Sequence, residues 1–259
     1  MRILQLTDFH VFAAANATLK GIPTRESLID VVGHIQRSQQ PFDLVVVTGD
    51  HTHDELPESY QAVCEILEPW ADRLLQIPGN HDDRVVMRDI FSGLDGSGQE
   101  RIQFAREAGE WLLVGLDTHL LGEVAGSVDE EQVDWLKTLV AKSPASRVAL
   151  FCHHPPIDVG SVWMDQIGLG GRELLQQVVT SDDRIRLICC GHVHHEFEGQ
   201  LGAAKVVASP STGIQFDPSG DTPQFMSAPP GYRVIELDGL DYRTHVVRLP
   251  ERKYSLVLD

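Results

Sequence analysis

Histidine, aspartate and asparagine recur along this chain in short motifs that also contain glycine or proline. The motifs are Asp8-Phe9-His10, Gly49-Asp50, Gly79-Asn80-His81-Asp82, His153-His154-Pro155 and Gly191-His192-Val193-His194. Imidazole nitrogens combined with carboxylate and amide oxygens suit Mn, Fe, Zn or Co ions, and thiolate is not needed. The residue types therefore indicate a site that binds divalent metal ions.

A pair of such ions would explain this mixture of ligands. Two ions about 3.5–4 Å apart can share one carboxylate and one hydroxide, and together stabilise the attacking and leaving oxygens of a phosphoryl displacement. Each motif alone is weak, because Gly79-Asn80 is also turn chemistry and the pair His153-His154 could be structural. His192 and His194 are stronger, since alternate residues of an extended segment point the same way. The set as a whole favours metal-dependent hydrolysis of a phosphate ester.

The elements that must position these motifs are short strands. Apolar runs rich in Val, Ile and Leu predict buried strands at residues 3–6, 44–47, 74–77, 148–152 and 185–190. Each motif follows the carboxyl end of one of these strands. In open parallel sheets the ligand crevice lies outside those ends, so the five motifs should converge.

Helical patterns alternate with the strands. The spacing of Leu28, Val31, Val32 and Ile35 predicts an amphipathic helix over residues 24–39, with Thr24 as its N-cap. Further helices are indicated by Tyr60, Val63 and Leu67, by a capping box at residues 127–130, and by Leu174, Leu175 and Val178. This alternation predicts right-handed crossovers and a mostly parallel sheet covered on both faces.

The pattern becomes β-rich after Gly191. Residues 206–208, 232–237 and 243–247 are predicted strands, which we expect to pair with the 111–116 region in a second sheet. No linker-like composition separates the two parts. The sequence therefore predicts an α/β protein with a single domain over residues 1–259.

The motifs, taken in order, resemble the calcineurin-like metallophosphoesterase superfamily, whose pattern is DxH, GD, GNH(D/E), a histidine before a proline, and GHxH. The resemblance spans nearly the whole chain. It implies a layered α/β/β/α sandwich of two mixed sheets flanked by helices, and two divalent or mixed-valence ions of Mn, Fe, Zn or Co. One ion would be bound by Asp8, His10, Asp50 and His194. The other would be bound by Asp50, Asn80, His153 and His192, with Asp50 as the bridge.

The same resemblance implies roles around the substrate. His81 matches a non-ligand catalytic histidine that contacts the phosphate and protonates or stabilises the departing oxygen, and Asp82 could orient its ring. Asn80, His81 and His194 would contact the substrate. The alternative for His81 is a structural residue of the turn.

Within the superfamily, the likeness is greatest to bacterial class III cyclic nucleotide phosphodiesterases. It rests on residues 153–156, 160–165, 209–212, 215–216 and 230–233. It implies that a metal-bridging hydroxide opens a 3′,5′-cyclic nucleotide such as cyclic AMP to a nucleoside 5′-monophosphate. A glycerophosphodiester or broad small-molecule phosphodiesterase is the alternative, and a non-catalytic metal-binding scaffold is another. The chain departs from the group at Phe9, His53 and Gly213.

Composition narrows the class of partner. Lys and Arg number 21 against 38 Asp and Glu, and the resulting charge of −17 disfavours nucleic acid and favours a small substrate. The sequence has no leader pattern, no stretch as long as a membrane span and no CxxC pair, so we expect a cytoplasmic protein with reduced cysteines and no membrane contact.

The resemblance implies a homodimer. The roles of His51, His53 and His119 stay open, and Trp163 could stack on a base or pack in a lid.

Overall fold

The computed structural model describes residues 1–38 and 40–257. Its helices are α1 (Thr24–Arg37), α2 (Pro57–Leu67), α3 (Arg84–Ile90), α4 (Glu130–Lys142), α5 (Val162–Gln166) and α6 (Arg172–Ser181), with a 3₁₀ helix at Glu68–Arg73. Its strands are β1 (Arg2–Leu6), β2 (Leu44–Thr48), β3 (Leu74–Ile77), β4 (Phe104–Ala108), β5 (Trp111–Leu116), β6 (Gly126–Ser127), β7 (Arg147–Cys152), β8 (Leu169–Gly170), β9 (Ile185–Cys190), β10 (Phe197–Leu201), β11 (Ala204–Ala208), β12 (Gln215–Asp217), β13 (Gln224–Met226), β14 (Gly231–Asp238) and β15 (Asp241–Arg248).

Most of these strands lie in two mixed sheets. The first sheet has the order β15-β14-β1-β2-β3 and the second the order β10-β11-β9-β7-β5-β4. In the first, β1, β2 and β3 are parallel, whereas β14 runs antiparallel to both β1 and β15. In the second, β11, β9, β7 and β5 are parallel, and β10 and β4 are antiparallel edges. Parallel strands are buried on both faces, which explains their continuous apolar sequences.

Three apolar layers hold these elements together. The middle layer lies between the sheets and includes Ile3, Val46, Leu113, Phe151 and Ile235. The layer outside the first sheet contains residues of α1 and α2, and the layer outside the second contains residues of α4 and α6. The predicted α/β/β/α sandwich is therefore confirmed. That residues 1–259 form one domain stays a prediction, which the shared middle layer supports.

The division of strands between sheets differs from the sequence expectation. The five predicted parallel strands are present, but they are split between two sheets, and each sheet is covered by helices on one face and by the other sheet on the other. Residues 206–208 join the sheet that contains β5, but they pair with β9 and β10 rather than with β5 itself. Strands β14 and β15 instead extend the first sheet, with Leu4 paired to Val234. This pairing places Ile3 and Ile235 together in the middle layer.

Two helix starts also differ from the predictions. Helix α1 has Pro23 at its N-cap, and the Thr24 hydroxyl does not cap the helix but donates a 2.7 Å hydrogen bond to the carbonyl of His10. The helix ends at Arg37, and residue 39 lies outside the described residues. Helix α4 is capped by Asp129, whose carboxylate accepts from the Gln132 amide. Ser127 belongs to the short strand β6, so residues 127–130 are not a capping box.

Candidate metal centre

The loops that follow five strands meet at one edge of the sandwich. The Asp8 amide donates to the carbonyl of Gly49 at 3.0 Å, which joins the loops after β1 and β2. The Gly191 amide donates to the carbonyl of His153 at 3.0 Å, which joins the loops after β9 and β7. The predicted convergence of the motifs is thus present in the structure.

Backbone strain is concentrated in these loops. Seven described residues other than glycine have a positive φ, and five of them are predicted metal ligands. Those five are Asp8 at 55°, His10 at 48°, Asp50 at 54°, His192 at 69° and His194 at 52°. Such left-handed conformations are uncommon outside glycine and cluster at functional sites.

Two glycines allow the loops to approach each other closely. A Cβ at Gly79 would lie 2.2 Å from Oδ1 of Asp50, and a Cβ at Gly49 would lie 2.5 Å from the Gly79 amide nitrogen and 2.7 Å from Nδ1 of His153. Any side chain at either position would therefore displace Asp50 or His153. The glycines of these motifs are needed for contact between the loops.

The first group of donor atoms comes from Asp8, His10, Asp50 and His194. These side chains are buried, and one donor atom of each lies within 4.8 Å of the others. Nε2 of His10 is 3.0 Å from Nε2 of His194 and 3.4 Å from Oδ2 of Asp50. Nε2 of His194 is 3.4 Å from Oδ1 of Asp8. This group could hold one metal ion.

A second group lies beside the first. Oδ1 of Asn80 is 3.2 Å from Nε2 of His153 and 3.1 Å from Nδ1 of His192. Oδ2 of Asp50 is 3.5 Å from Nε2 of His153 and 3.4 Å from Nε2 of His10. One oxygen of Asp50 is therefore nearly equidistant from the two groups, while its other oxygen accepts a 2.8 Å hydrogen bond from the His81 amide.

The pKa values of the donors reflect burial and mutual charge. Burial acts to raise the pKa of Asp50, but the charge and hydrogen bond of His153 outweigh it and hold that pKa well below its usual range. Burial acts to lower the pKa of His153, but Asp50 outweighs it and raises that pKa to about 9. Burial, followed by the charge of His153, lowers the pKa of His192 to about 3. A cation at His153 would have to displace a proton, so metal binding there should release one.

Three of the predicted ligand rings are oriented by backbone carbonyls. In each ring, the nitrogen away from the donor groups is within hydrogen-bond distance of a carbonyl oxygen. The distances are 2.7 Å from Nδ1 of His153 to Thr48, 2.9 Å from Nδ1 of His194 to Ile214 and 3.1 Å from Nε2 of His192 to Ile167. A proton on that nitrogen leaves the other one free for a metal, which is the usual arrangement of ligand histidines.

The pair His153-His154 divides into two different environments. Nδ1 of His154 lies 2.8 Å from the Thr118 hydroxyl, and its Nε2 lies 3.0 Å from the carbonyl of Val124. Both nitrogens of His154 therefore have protein partners, whereas Nε2 of His153 lies among the donor atoms. The geometry favours His153 as the ligand.

His81 and Asp82 point to different surroundings. The half-buried ring of His81 is 5.0 Å from the ring of His10 and is stacked on His53 at 4.8 Å. In the described part of the chain, the buried Asp82 carboxylate accepts hydrogen bonds from His51, Gly79 and Tyr60, and none from His81. The expectation that Asp82 orients the His81 ring is corrected: Asp82 points into the protein interior and bonds to His51.

A sequence model of the calcineurin-like phosphoesterase family matches residues 1–196. The chain belongs to this family. It is accordingly an enzyme of the metal-dependent phosphoesterase class, and its buried groups of histidine, aspartate and asparagine suit that chemistry.

Two relatives of this calcineurin-like phosphoesterase have names that state an activity. The 3′,5′-cyclic adenosine monophosphate phosphodiesterase CpdA of Escherichia coli K12 is 32% identical over 257 residues, which cover 98% of this chain and 92% of that protein. The probable glycerophosphodiester phosphodiesterase GpdQ of Arcobacter nitrofigilis is 28% identical, with 98% and 96% covered. A dimetal phosphatase from Danio rerio has the same fold, with a TM-score of 0.70, 16% identity and 92% of each chain covered.

The structure shows the surroundings of residues whose roles the sequence left open in this phosphoesterase. His51 is enclosed between Asp82 and Gln76, and Phe9 is buried with its ring edge against His51. Phe9, at which the chain departs from the phosphodiesterase group, therefore packs in the protein interior. His119 lies outside the donor groups, and its buried Nδ1 has no hydrogen-bond partner among the described residues.

Trp163 packs inside the protein. Only 8% of it is exposed, and its ring edge contacts Phe216, which is stacked on His194 at 4.2 Å. The structure thus favours packing over an open base-stacking surface for Trp163. The contact of Phe216 with His194 was not predicted, because nothing in the local sequence marks it.

Among the described residues, no helix is both long and apolar enough to cross a membrane.

Proposed function

We propose that this chain is a dinuclear phosphodiesterase that hydrolyses 3′,5′-cyclic nucleotides such as cyclic AMP to nucleoside 5′-monophosphates. The observation that carries the dinuclear part is the position of Oδ2 of Asp50, 3.4 Å from Nε2 of His10 and 3.5 Å from Nε2 of His153. The substrate is supported by the 32% identity to the Escherichia coli enzyme.

Each ion would have its own set of ligands. Asp8, His10, Asp50 and His194 would hold one ion, and Asp50, Asn80, His153 and His192 would hold the other. Nitrogen donors mixed with oxygen donors favour Mn, Fe, Zn or Co over Mg or Ca. When bound, the ions supply Lewis acidity and positive charge that stabilise the phosphate oxygens during the displacement.

The protein groups would bind the phosphate and move a proton. Asn80 and His194 belong to the donor groups and the ring of His81 lies beside them, 5.0 Å from that of His10, so all three would contact the phosphate. The half-buried ring of His81 is not within either ligand set, so it is free to donate a proton to the departing 3′ oxygen. Asp82 would act through the turn that carries Asn80 and His81.

The charge of the chain supports a small substrate. A body of −17 repels long polyanions, whereas a small phosphodiester needs only the local positive charge of the loaded site. The homodimer implied by the resemblance and the cytoplasmic location expected from the sequence both stay predictions. Size-exclusion chromatography with light scattering tests the first.

A side-by-side turnover assay tests the substrate. The Mn-loaded enzyme would be given cyclic AMP, cyclic GMP, a glycerophosphodiester and a nitrophenyl phosphodiester, with Asp50→Ala as the inactive control. We expect kcat/KM for a cyclic nucleotide to exceed that for the glycerophosphodiester by about tenfold or more. The opposite order would support the second candidate, which the Arcobacter relative favours. No turnover of any diester would support the scaffold.

A further inference from the structure

His10 differs from the other predicted ligand histidines in what holds its ring. His153, His192 and His194 each place their second nitrogen against a backbone carbonyl. In His10, Nε2 lies among the donor atoms, and Nδ1 lies 3.3 Å from Nδ1 of His53. A side chain therefore occupies the place that a carbonyl takes elsewhere in the centre.

We propose that His53 is a positioning residue that orients His10 for metal binding. The inference rests on the proposed metal centre. Two facing ring nitrogens form a hydrogen bond only if one carries the proton and the other accepts it. Because Nε2 of His10 must be free for the ion, the proton lies on its Nδ1. Nδ1 of His53 is then the acceptor, and His53 carries its own proton on Nε2.

The ring of His53 is itself held in place. Its backbone amide donates to the carbonyl of Val11 at 3.0 Å, and its ring lies 4.7 Å from that of Phe12. It also stacks on His81 at 4.8 Å with an interplanar angle of 17°. These contacts limit rotation of the His53 ring, so the acceptor is in position before a metal binds. Partners of this kind typically contribute 10–100-fold to metal affinity.

The same atoms allow a competing arrangement. His10, His53 and His81 each offer a nitrogen within 4.8 Å of the others, so they could hold a further cation. That would require His10 to bind metal through both of its nitrogens and lose its ring proton. We favour the hydrogen bond, because it needs only the neutral ring.

Two substitutions separate the hydrogen bond from the ring contacts. In His53→Asn, the amide oxygen can take the place of Nδ1 as the acceptor, but the ring is lost. In His53→Phe, a ring can still stack on His81 and Phe12, but no acceptor remains. His34→Asn is the control, since His34 is also half-buried and has Tyr232 as a side-chain partner 3.3 Å away on another part of the fold.

The experiment measures Mn²⁺ binding to the metal-free form of each protein. Calorimetry gives the affinity, and metal analysis gives the number of ions bound. We expect two ions in the wild type, and in His53→Phe a roughly 10–100-fold weaker affinity for one of them. His53→Asn and His34→Asn should stay within about threefold of the wild type. Equal losses in both His53 variants, no loss in His53→Phe, or a third ion that both variants lose would each overturn the proposal. Binding is measured without substrate, so a wrong assignment of the cyclic nucleotide would not affect the result.

Discussion

Nδ1 of His51 lies 3.0 Å from Oδ2 of Asp82, and both side chains are completely buried. The same carboxylate accepts hydrogen bonds from the His51 amide, the Gly79 amide and the Tyr60 hydroxyl. His51 follows Asp50, and Gly79 precedes Asn80. Asp82 therefore ties together the two loops that carry the predicted bridging ligand and a ligand of the second ion.

This relationship predicts a large loss of stability in Asp82→Asn. Both oxygens of Asp82 face N–H donors, so the amide group of asparagine would oppose one of them. We expect a cost of about 2 kcal/mol or more in the free energy of unfolding. Asp83→Asn is the matched control, because Asp83 caps α3 and asparagine caps helices equally well. Denaturant titration measures the free energy of unfolding of both variants after a chelator has removed any bound metal. Equal values for the two variants would contradict the prediction.

Activity should depend on Mn, Fe, Zn or Co, with Mg or Ca much poorer, because the donor set contains four imidazoles. Chelation should abolish turnover of a nitrophenyl phosphodiester but leave the circular dichroism spectrum largely unchanged. The reason is that the apolar layers of the sandwich do not include the metal ligands. Full activity in an exhaustively metal-free preparation would rule out the dinuclear centre.

Asp50→Ala should be more damaging than Asn80→Ala. The first removes a charged ligand shared by both ions, and the second removes one neutral ligand from one ion. We expect the loss in kcat/KM to be at least about tenfold greater for Asp50→Ala, with reduced occupancy of both metals. Metal analysis of the purified variants gives the second readout. Retention of two ions in Asp50→Ala would show that Asp50 is not the bridge.

The effect of His81→Ala should depend on the leaving group. The 3′ oxygen of ribose needs a proton as it departs, whereas a nitrophenolate leaves without one. General acid catalysis contributes about 10²–10⁴ in rate. We therefore expect His81→Ala to keep both metals and most activity on a nitrophenyl diester, and to lose roughly a hundredfold on a cyclic nucleotide.

The comparison of kcat on the two substrates in one metal-loaded preparation checks the role of His81. Equal losses on both would assign His81 to phosphate binding or to the shape of its turn. Loss of an ion would make it a ligand, directly or through Asn80.

Much of the site could be predicted from local sequence. Runs such as residues 44–47 are short, rich in β-branched residues and followed by glycine, which favours buried strands over helices. Each run is followed within a few residues by a side chain that carries a donor. Gly79 and Gly49 mark loops that must approach closely. His192 and His194 enter the donor groups as expected, but not as alternate residues of an extended segment, because β9 ends at Cys190 and the two residues have positive φ angles of 69° and 52°. These features depend on neighbours along the chain, so spacing and residue type are enough to indicate them.

The tertiary structure decided the features that join distant parts of the chain. Strand β14 pairs with β1 because Ile3 and Ile235 share the layer between the sheets, which no local period reveals. The partners of His51 and His53 likewise come from other loops, at Asp82 and His10. By itself, the sequence determined which side chains can bind metal and at which strand ends they lie. Only the folded chain decided their hydrogen-bond partners, because those contacts depend on packing between residues far apart in sequence.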